Sequence, residues 1–218
     1  MRIATWNLNL KMRKGALDLF GSLDADVLLL TEAPPDLVLA GYQRTPPGPL
    51  MLRGQEWATI LSRRPIQWVE RPHGASVAAL IDGVTYVSTV LPWGSSPPGP
   101  PFRGVGQAAQ TVAALEDLES WLGAQDRLVW GGDWNHSLEQ PWRYSASTAG
   151  RERLDALLGE LGLYAPTRHL PRGWKYDFPS IDHVAVSDPN ATAELVEAIG
   201  PAGRLSDHDA YVVETAAP

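Results

Sequence analysis

Polar side chains follow the apolar run 128–130, at the point where a predicted buried strand would end. Gly131 and Gly132 come next, and glycine allows backbone geometries and close approaches that other residues do not. Asp133 and Asn135 are two positions apart, so continued strand alternation would point both side chains to one side. A buried carboxylate beside a carboxamide needs a partner, such as a cation, a water or a phosphate. The alternative for this stretch alone is a polar turn capped by its own Asp and Asn.

Four further stretches also carry polar residues at the ends of predicted strands. Asn7 and Glu32 lie at C-terminal strand ends, whereas Asp182, Asp207 and His208 lie at N-terminal strand ends. In a mixed sheet these two sets meet at one edge if the last strands run antiparallel to the first. One polar turn at a strand end is common by chance, but polar residues at the strand ends of all five stretches are much less so. We therefore expect these side chains to converge.

The residue types constrain the chemistry of such a site. Carboxylates and carboxamides are hard oxygen donors, which suit Mg²⁺ or Mn²⁺ better than Zn²⁺. No His-Glu-x-x-His or similar zinc spacing occurs in the sequence. A single histidine, His208, can be oriented by an aspartate on another strand and can present a proton to a developing negative charge. The sequence therefore predicts a Mg²⁺ or Mn²⁺ site with an acid–base histidine beside it.

The composition is that of an ordinary globular protein. The chain has 218 residues, of which 44% are hydrophobic and 20% charged, and no linker stands out. We therefore expect a single domain over residues 1–218. There is no cysteine, which excludes disulfides, thiolate catalysis and cysteine–zinc sites.

The charge and the apolar runs bear on partners and location. A net charge of −7 argues against a broad surface that grips nucleic acid by its phosphates, although a bound divalent cation would offset local carboxylates. No apolar run reaches the roughly 18 residues of a membrane span. No secretory signal pattern precedes the first strand, so we expect a cytoplasmic protein, and a monomer.

The hydrophobic periodicity predicts strands that alternate with helices at both ends of the chain, with a hairpin run in the middle. A strand at 2–8, a helix over 16–23 and a strand at 27–32 indicate a right-handed parallel crossover. Asp82-Gly83 is a strong two-residue turn signal between two strands. Further helices are predicted over 104–123, around 154–161 and over 191–199. This order favours two mixed sheets packed face to face and covered by helices.

Six short motifs together resemble the endonuclease/exonuclease/phosphatase superfamily, which has the DNase-I-like fold. They are WNLN at 6–9, TE at 31–32, ATILSRRPI at 58–66, GGDWNHS at 131–137, SIDHV at 180–184 and SDHDAYVV at 206–213. Each motif is weak alone, but the set follows the family's order over nearly the whole chain. The resemblance implies an α/β fold, a four-layer α-β-β-α sandwich with two mixed β-sheets packed face to face, and a divalent metal at the sheet edge.

The resemblance also implies a role for each matching residue. Asn7 and Glu32 would belong to the metal site, with Glu32 as the principal ligand, and Asp207 would lie near the metal.

The remaining matches are catalytic. Asp133 would align or deprotonate the attacking water, and Asn135 would position the water or the phosphate. His208 would donate to a phosphate oxygen, and Asp182 would orient His208.

The sequence departs from the family pattern at one position. Many members carry a catalytic His or Tyr at the end of the strand before the long helix, where this chain has Val90. Arg103, which with Gln107 resembles a pair seen in some branches, is the candidate substitute as a substrate-binding residue; the alternative is a solvated charge at a helix start. Trp174 is a second candidate for substrate binding, among a set of loop residues that would stack on bases or contact phosphates: Trp93, Trp142, Trp174, Arg143, Arg168, Arg172 and Lys175.

The resemblance implies a divalent-metal-dependent hydrolase that cleaves a phosphodiester bond with activated water. A nuclease is the favoured interpretation, with nucleic acid or another phosphodiester as the substrate. A phosphatase and a phospholipid phosphodiesterase are alternatives, because the fold does not determine the substrate. Val90 motivates a further alternative, a non-catalytic binding or scaffold protein on the same fold.

Overall fold

The computed structural model describes residues 1–51, 53–139, 147–173 and 175–216. Its helices are α1 (Ala16–Leu23), α2 (Gln107–Gly123) and α3 (Thr148–Glu160), with a short 3₁₀ helix at Pro166–His169. Its strands are, in chain order, β1 (Arg2–Asn7), β2 (Val27–Ala33), β3 (Gln43–Arg44), β4 (Glu56–Ser62), β5 (Gln67–Trp68), β6 (Ser76–Ile81), β7 (Val84–Thr89), β8 (Leu128–Asp133), β9 (Pro171–Arg172), β10 (Lys175–Pro179), β11 (Asp182–Ala185), β12 (Thr192–Val196), β13 (Ile199–Gly200), β14 (Gly203–Arg204) and β15 (Ala210–Glu214).

These strands form two large mixed sheets. The first has the order β12-β15-β1-β2-β4-β3, and the second has the order β11-β8-β7-β6-β5. Strand β1 pairs parallel to β2 and antiparallel to β15, while β8 pairs parallel to β7 and antiparallel to β11. The parallel crossover predicted for β1 and β2 is therefore confirmed. The late strands β15 and β11 run antiparallel to β1 and β8, respectively, which is the condition for the polar strand ends to meet.

Three apolar clusters separate the layers of the molecule. One lies between the two sheets, one between the first sheet and α1, and one between the second sheet and helices α2 and α3. Strand alternation divides neighbouring residues among these clusters: Ile3 faces the other sheet and Ala4 faces α1, while Val129 faces the other sheet and Trp130 faces α2 and α3. The predicted four-layer α-β-β-α sandwich is confirmed.

Local turn chemistry explains two element boundaries. Asp82 and Gly83 have φ of 50° and 77°, as a tight two-residue hairpin turn requires, and they join β6 to β7 as predicted. Helix α2 begins at Gln107 rather than at the predicted 104, because Gly104 and Gly106 both have left-handed φ values. Within the ranges given above, none of the helices has the length and apolar character to cross a membrane.

The helix predicted over 191–199 is wrong. Thr192–Val196 is strand β12, which pairs antiparallel with β15 at the edge of the first sheet. The side chain of Arg2 forms ion pairs with both Glu194 and Glu214, one on each of these strands. Pairing with the otherwise open edge of β15 satisfies a full row of backbone groups, and that outweighs the modest local preference for helix.

Candidate active site

The ends of five strands, β1, β2, β8, β11 and β15, open onto one edge that the two sheets share. Their approach depends on the two glycines of β8. A Cβ added to Gly132 would lie 2.2 Å from the carbonyl oxygen of Thr89, and one added to Gly131 would lie 2.6 Å from that of His183. Gly132 also has φ of 123°. No other residue type fits at these positions, and the contact brings Asp133 to the edge of both sheets.

One side-chain amide joins carboxylates from the two sheets. Nδ2 of Asn7 donates to Oε1 of Glu32 at 3.1 Å and to Oδ2 of Asp133 at 2.9 Å. Oδ1 of Asn7 in turn accepts from the backbone N–H of Asn9 at 2.9 Å, which sets the orientation of the amide. Glu32 has φ of 49°, a strained backbone conformation of the kind that clusters at functional sites. The carboxylates of Glu32 and Asp133 thus accept hydrogen bonds from the same nitrogen atom, which holds them close together.

The imidazole of His208 lies between two aspartates. Its Nδ1 is 2.7 Å from Oδ2 of Asp182, and its Nε2 is 3.9 Å from Oδ2 of Asp133. The backbone N–H of His208 donates to Oγ of Ser206 at 3.1 Å, and its carbonyl accepts from Nε1 of Trp6 at 3.2 Å. Hydrogen bonds therefore fix both the backbone of His208 and the Nδ1 side of its ring.

The surroundings shift the pKa values of these groups. Burial by itself would lower the pKa of His208, but the nearby carboxylates of Asp182, Asp133 and Asp207 outweigh it and raise that pKa, so the ring is an imidazolium at neutral pH. Burial raises the pKa of Asp133, and the charge of Asp182 adds to it. Burial also raises the pKa of Glu32. Negative charge is thus concentrated where water does not screen it, which a cation would relieve.

Asn135 and Asp207 border this group on different sides. The backbone N–H of Asn135 donates to Oδ1 of Asp133 at 3.0 Å, and its Nδ2 donates to the carbonyl of Leu91 at 3.0 Å. Asn135 has φ of 52°, a second left-handed residue at the site. Asp207 is exposed, and its Oδ1 accepts from Nδ2 of Asn9 at 2.8 Å.

The donor set fits a hard divalent cation. Asp133 and Asp182 each offer a carboxylate oxygen, and these oxygens lie within 4.8 Å of each other and of a ring nitrogen of His208. Oδ1 of Asp182 is buried and has no hydrogen-bond partner among the described residues. Glu32 adds a second carboxylate beside Asp133 through the shared amide of Asn7. Oxygen donors of this kind and number are the ligands that Mg²⁺, Mn²⁺ and Ca²⁺ prefer.

These side chains open into a polar cavity of about 360 Å³. Four of the predicted residues, Glu32, Asp133, Asn135 and His208, line it. Three more residues line it: Trp93 and Arg172, from the loop residues predicted to contact bases or phosphates, and Gln107, which the sequence analysis paired with Arg103. Gln107 is the first residue of α2, and its Nε2 donates to the carbonyl of Pro92 at 3.0 Å.

The structure does not bring every candidate to this cavity. The guanidinium of Arg103 is exposed and pairs with Asp117 on α2, and Arg103 does not line the cavity. Val90 is only 1% exposed and packs into the cluster beneath α2 and α3. Trp174, together with Trp142 and Arg143, lies outside the described residues.

Solved structures with the same fold cover nearly the whole chain. An AP endonuclease from Archaeoglobus fulgidus matches with a TM-score of 0.75 at 17% identity, over 99% of this chain and 99% of that chain. A 3′ phosphatase, NExo, from Neisseria, bound to a product DNA hairpin, matches with a TM-score of 0.70 at 21% identity, over 98% of both chains. The endonuclease domain of TRAS1, a telomere-specific non-LTR retrotransposon, matches with a TM-score of 0.65 at 19% identity, over 99% of this chain and 98% of that chain. At these identities the likeness shows the fold.

A comparison with curated proteins found no match. The model of the endonuclease/exonuclease/phosphatase family, in contrast, matches residues 4–208. That range begins in β1 and ends at His208, so it contains every strand end that contributes to the site. The chain belongs to the endonuclease/exonuclease/phosphatase family.

Proposed function

We propose that this protein is a divalent-metal-dependent nuclease that hydrolyses a phosphodiester bond with an activated water. The observation that carries the proposal is the placement of His208 between Asp182 and Asp133, with Glu32 linked to Asp133 through Asn7. Nucleic acid is the favoured substrate because solved structures of the same fold are described as an AP endonuclease and as a 3′ phosphatase bound to DNA.

The proposed cation is Mg²⁺ or Mn²⁺, held by Glu32 as the principal ligand with Asn7 and Asp207 nearby. When bound, such an ion stabilises negative charge on the phosphoryl oxygens as a Lewis acid. The role of Asn7 is to orient the carboxylate of Glu32, since its amide nitrogen donates to that carboxylate and its amide oxygen is already fixed by Asn9.

Asp133, Asn135, Asp182 and His208 then perform the proton and charge chemistry. Asp133 takes a proton from the attacking water, and burial makes it a better base by raising its pKa toward neutrality. His208 donates from Nε2 to a phosphoryl oxygen, while Asp182 holds Nδ1 and keeps the ring charged. Asn135, at the cavity wall, positions the phosphate.

The test is hydrolysis of a chromogenic phosphodiester and of single-stranded and duplex DNA, each with Mg²⁺, with Mn²⁺ and with a chelator. We expect metal-dependent cleavage that Asp133→Asn abolishes. A protein that binds DNA but is inert with every divalent metal would instead be a scaffold. Hydrolysis confined to phosphomonoesters would make it a phosphatase. Either result would overturn the proposal.

The position of the metal can be tested separately by Mn²⁺ titration calorimetry. Glu32→Gln should weaken Mn²⁺ binding by about 10- to 100-fold or more, in line with losses seen when metal-site groups are changed. His208→Ala should leave the affinity nearly unchanged. The opposite pattern would assign the ion to Asp133, Asp182 and His208.

We extend the proposal to the whole chain as one domain over residues 1–218, acting as a monomer in the cytoplasm. Size-exclusion chromatography with light scattering should give a mass near 23.7 kDa. A single cooperative urea transition should be seen by both fluorescence and circular dichroism.

A further inference from the structure

A second cavity, of about 580 Å³, adjoins the candidate active site and has a different character. It shares Glu32, Asp207 and His208 with the site. Most of its remaining wall consists of aromatic and proline side chains, and we call it the aromatic cavity: Trp57, Trp93, Phe102 and the prolines at 97, 98, 100 and 101. Its volume lies within the range of about 300 to 1,000 Å³ that is typical of small-ligand sites. A group attached to a phosphate at the active site can enter it directly.

The aromatic rings pack edge-to-face or tilted against one another and leave ring surface for a flat group. Phe102 is 1% exposed and forms the base, with Trp57 at 5.3 Å and an interplanar angle of 79°. Trp93 lies 6.3 Å from Phe102 at 83° and 6.3 Å from Trp57 at 41°. Both tryptophans are only half-buried, so each still offers ring surface to the cavity. Ring faces with this exposure stack well on a planar heterocycle.

The loop that carries half of this wall is held in place. Two glutamines of α2 anchor it, since Nε2 of Gln107 donates to the carbonyl of Pro92 and Nε2 of Gln110 donates to that of Pro97, both at 3.0 Å. The backbone N–H of Trp93 also donates to Oγ of Ser96 at 2.7 Å. Because prolines restrict φ as well, a ligand would meet a largely preformed cavity and would lose little affinity to loop ordering.

One polar side chain in the wall lacks a partner. Gln55 lines the aromatic cavity and is 4% exposed, and its Oε1 accepts no hydrogen bond from any described residue. This oxygen is buried rather than open to the cavity, so a ligand donor reaches it when the end of the Gln55 side chain turns toward the ligand, and the unpaired amide favours such a ligand. The glutamine carboxamide pairs well with adenine, which presents N6–H as a donor next to N7 as an acceptor. A hydrocarbon chain would leave the amide unpaired.

We propose that the aromatic cavity binds an unpaired nucleobase of the substrate, adenine best of all, next to the scissile phosphate. The inference rests on the proposed nuclease function and names its substrate class. The base must leave any helical stack to enter, so the preferred substrate is a single strand or a frayed end rather than intact duplex. Arg53, exposed at the cavity wall, supplies a positive charge for a neighbouring phosphate.

The first arm of the test changes only the substrate. Short single strands carry adenine, purine without the amino group, or an abasic tetrahydrofuran unit beside one phosphodiester. Binding is measured by fluorescence polarisation with Asp133→Asn, and cleavage with the unaltered chain. We expect adenine to bind about 10- to 100-fold more tightly than the abasic strand, from stacking. Purine should bind about 5- to 10-fold more weakly than adenine, from the lost donor.

The second arm changes the wall. Trp57→Ala should weaken binding of the adenine strand by about 10-fold or more and leave the abasic strand unaffected. Gln55→Met, which keeps the length of the side chain, should remove the difference between adenine and purine while stacking persists. Trp68→Ala, at an exposed tryptophan outside both cavities, is the matched control. Circular dichroism confirms that each variant folds.

The outcomes separate the two proposals. Cleavage with equal affinity for adenine and abasic strands would overturn the base site and leave the nuclease function standing. An adenine preference that depends on Trp57, in a protein that cleaves no strand with any metal, would overturn the nuclease function and support the base site. A preference for adenine that Gln55→Met leaves intact would overturn the role of the amide.

Discussion

His208 lies just before β15 of the first sheet and His183 lies on β11 of the second, yet the protein drives their pKa values in opposite directions. His208 faces Asp182 and Asp133, and their charges raise its pKa. His183 is the residue after Asp182 on β11, but strand alternation turns it to the other face. There its Nε2 donates to the carbonyl of His136 at 2.9 Å, and its Nδ1 lies 3.0 Å from Oγ1 of Thr167.

The difference lies in the partners rather than in the residue type. Burial lowers the pKa of His183 to about 3, because none of its hydrogen-bond partners carries a charge. His136 behaves in the same way: its pKa falls to about 4, and its Nδ1 donates to the carbonyl of Trp134 at 2.7 Å. A buried histidine beside a carboxylate is charged and can donate a proton. A buried histidine with neutral partners stays neutral and only supports the fold. Four predictions test this comparison.

The largest expected effect is on catalysis by His208→Ala. The variant should hydrolyse a phosphodiester about 10²- to 10⁴-fold more slowly at saturating metal, because the transition-state charge loses its imidazolium partner. Steady-state kinetics on the chromogenic diester measure it. His183→Leu is the control, and a similar rate loss in that variant would break the comparison.

Asp182→Asn should lower the rate by about 10²- to 10³-fold, as loss of one preorganised electrostatic contact does. Without the carboxylate that raises the pKa of His208, the ring loses its proton at lower pH. The basic limb of the pH–rate profile should therefore move to lower pH. An unchanged profile would mean that Asp182 supports only the fold.

His183→Leu should lower the free energy of unfolding by about 1 to 3 kcal/mol, because the buried carbonyl of His136 loses its partner and the hydroxyl of Thr167 keeps only the N–H of Val184. The rate per folded molecule should not change. Urea denaturation followed by tryptophan fluorescence measures the loss. His169→Ala, at an exposed position, should stay within about 0.5 kcal/mol of the unaltered chain.

The smallest expected effect is the response of stability to mild acid. Unfolded histidine binds a proton near pH 6.5, whereas folded His136 and His183 do so only near pH 4 and 3. At these two histidines the unfolded state therefore binds more protons as the pH falls below about 6.5, and their contribution to stability is lost from there down to their folded-state pKa values. His208 and Asp133, whose pKa values are raised in the folded state, hold more protons when folded and oppose this loss. From pH 7.5 to pH 6 the free energy of unfolding of the unaltered chain should therefore fall relative to that of His183→Leu, by on the order of 1 kcal/mol.

The same measurement on His183→Leu isolates the contribution of that ring. On going from pH 7.5 to pH 6, the variant should lose less stability, or gain more, than the unaltered chain. An equal change in the two chains would show that His183 is not held neutral.

The sequence by itself predicted the layers, and it predicted that the site residues converge if the last strands run antiparallel to the first, a polarity that the structure supplied. Alternating apolar residues in β1 and β8 define two buried faces per strand, and the helix between β1 and β2 imposes a parallel crossover. Polar residues at strand ends can then meet only at an edge. Asn7, Glu32, Asp133 and His208 were predictable because local patterning and chain topology agree on where they lie.

Features that depend on contacts between residues distant in the chain were decided by the tertiary structure alone. Thr192–Val196 became a strand because β15 offered an open edge, which local propensity does not register. Arg103 pairs with Asp117 rather than reaching the site, because α2 brings that aspartate beside it. The aromatic cavity unites Trp57, at the edge of the first sheet, with Trp93 and Phe102 from a proline-rich loop. Trp57 directly precedes the ATILSRRPI motif, yet neither that motif nor the proline-rich loop predicts the cavity, since the shared surface exists only after the sheets have packed.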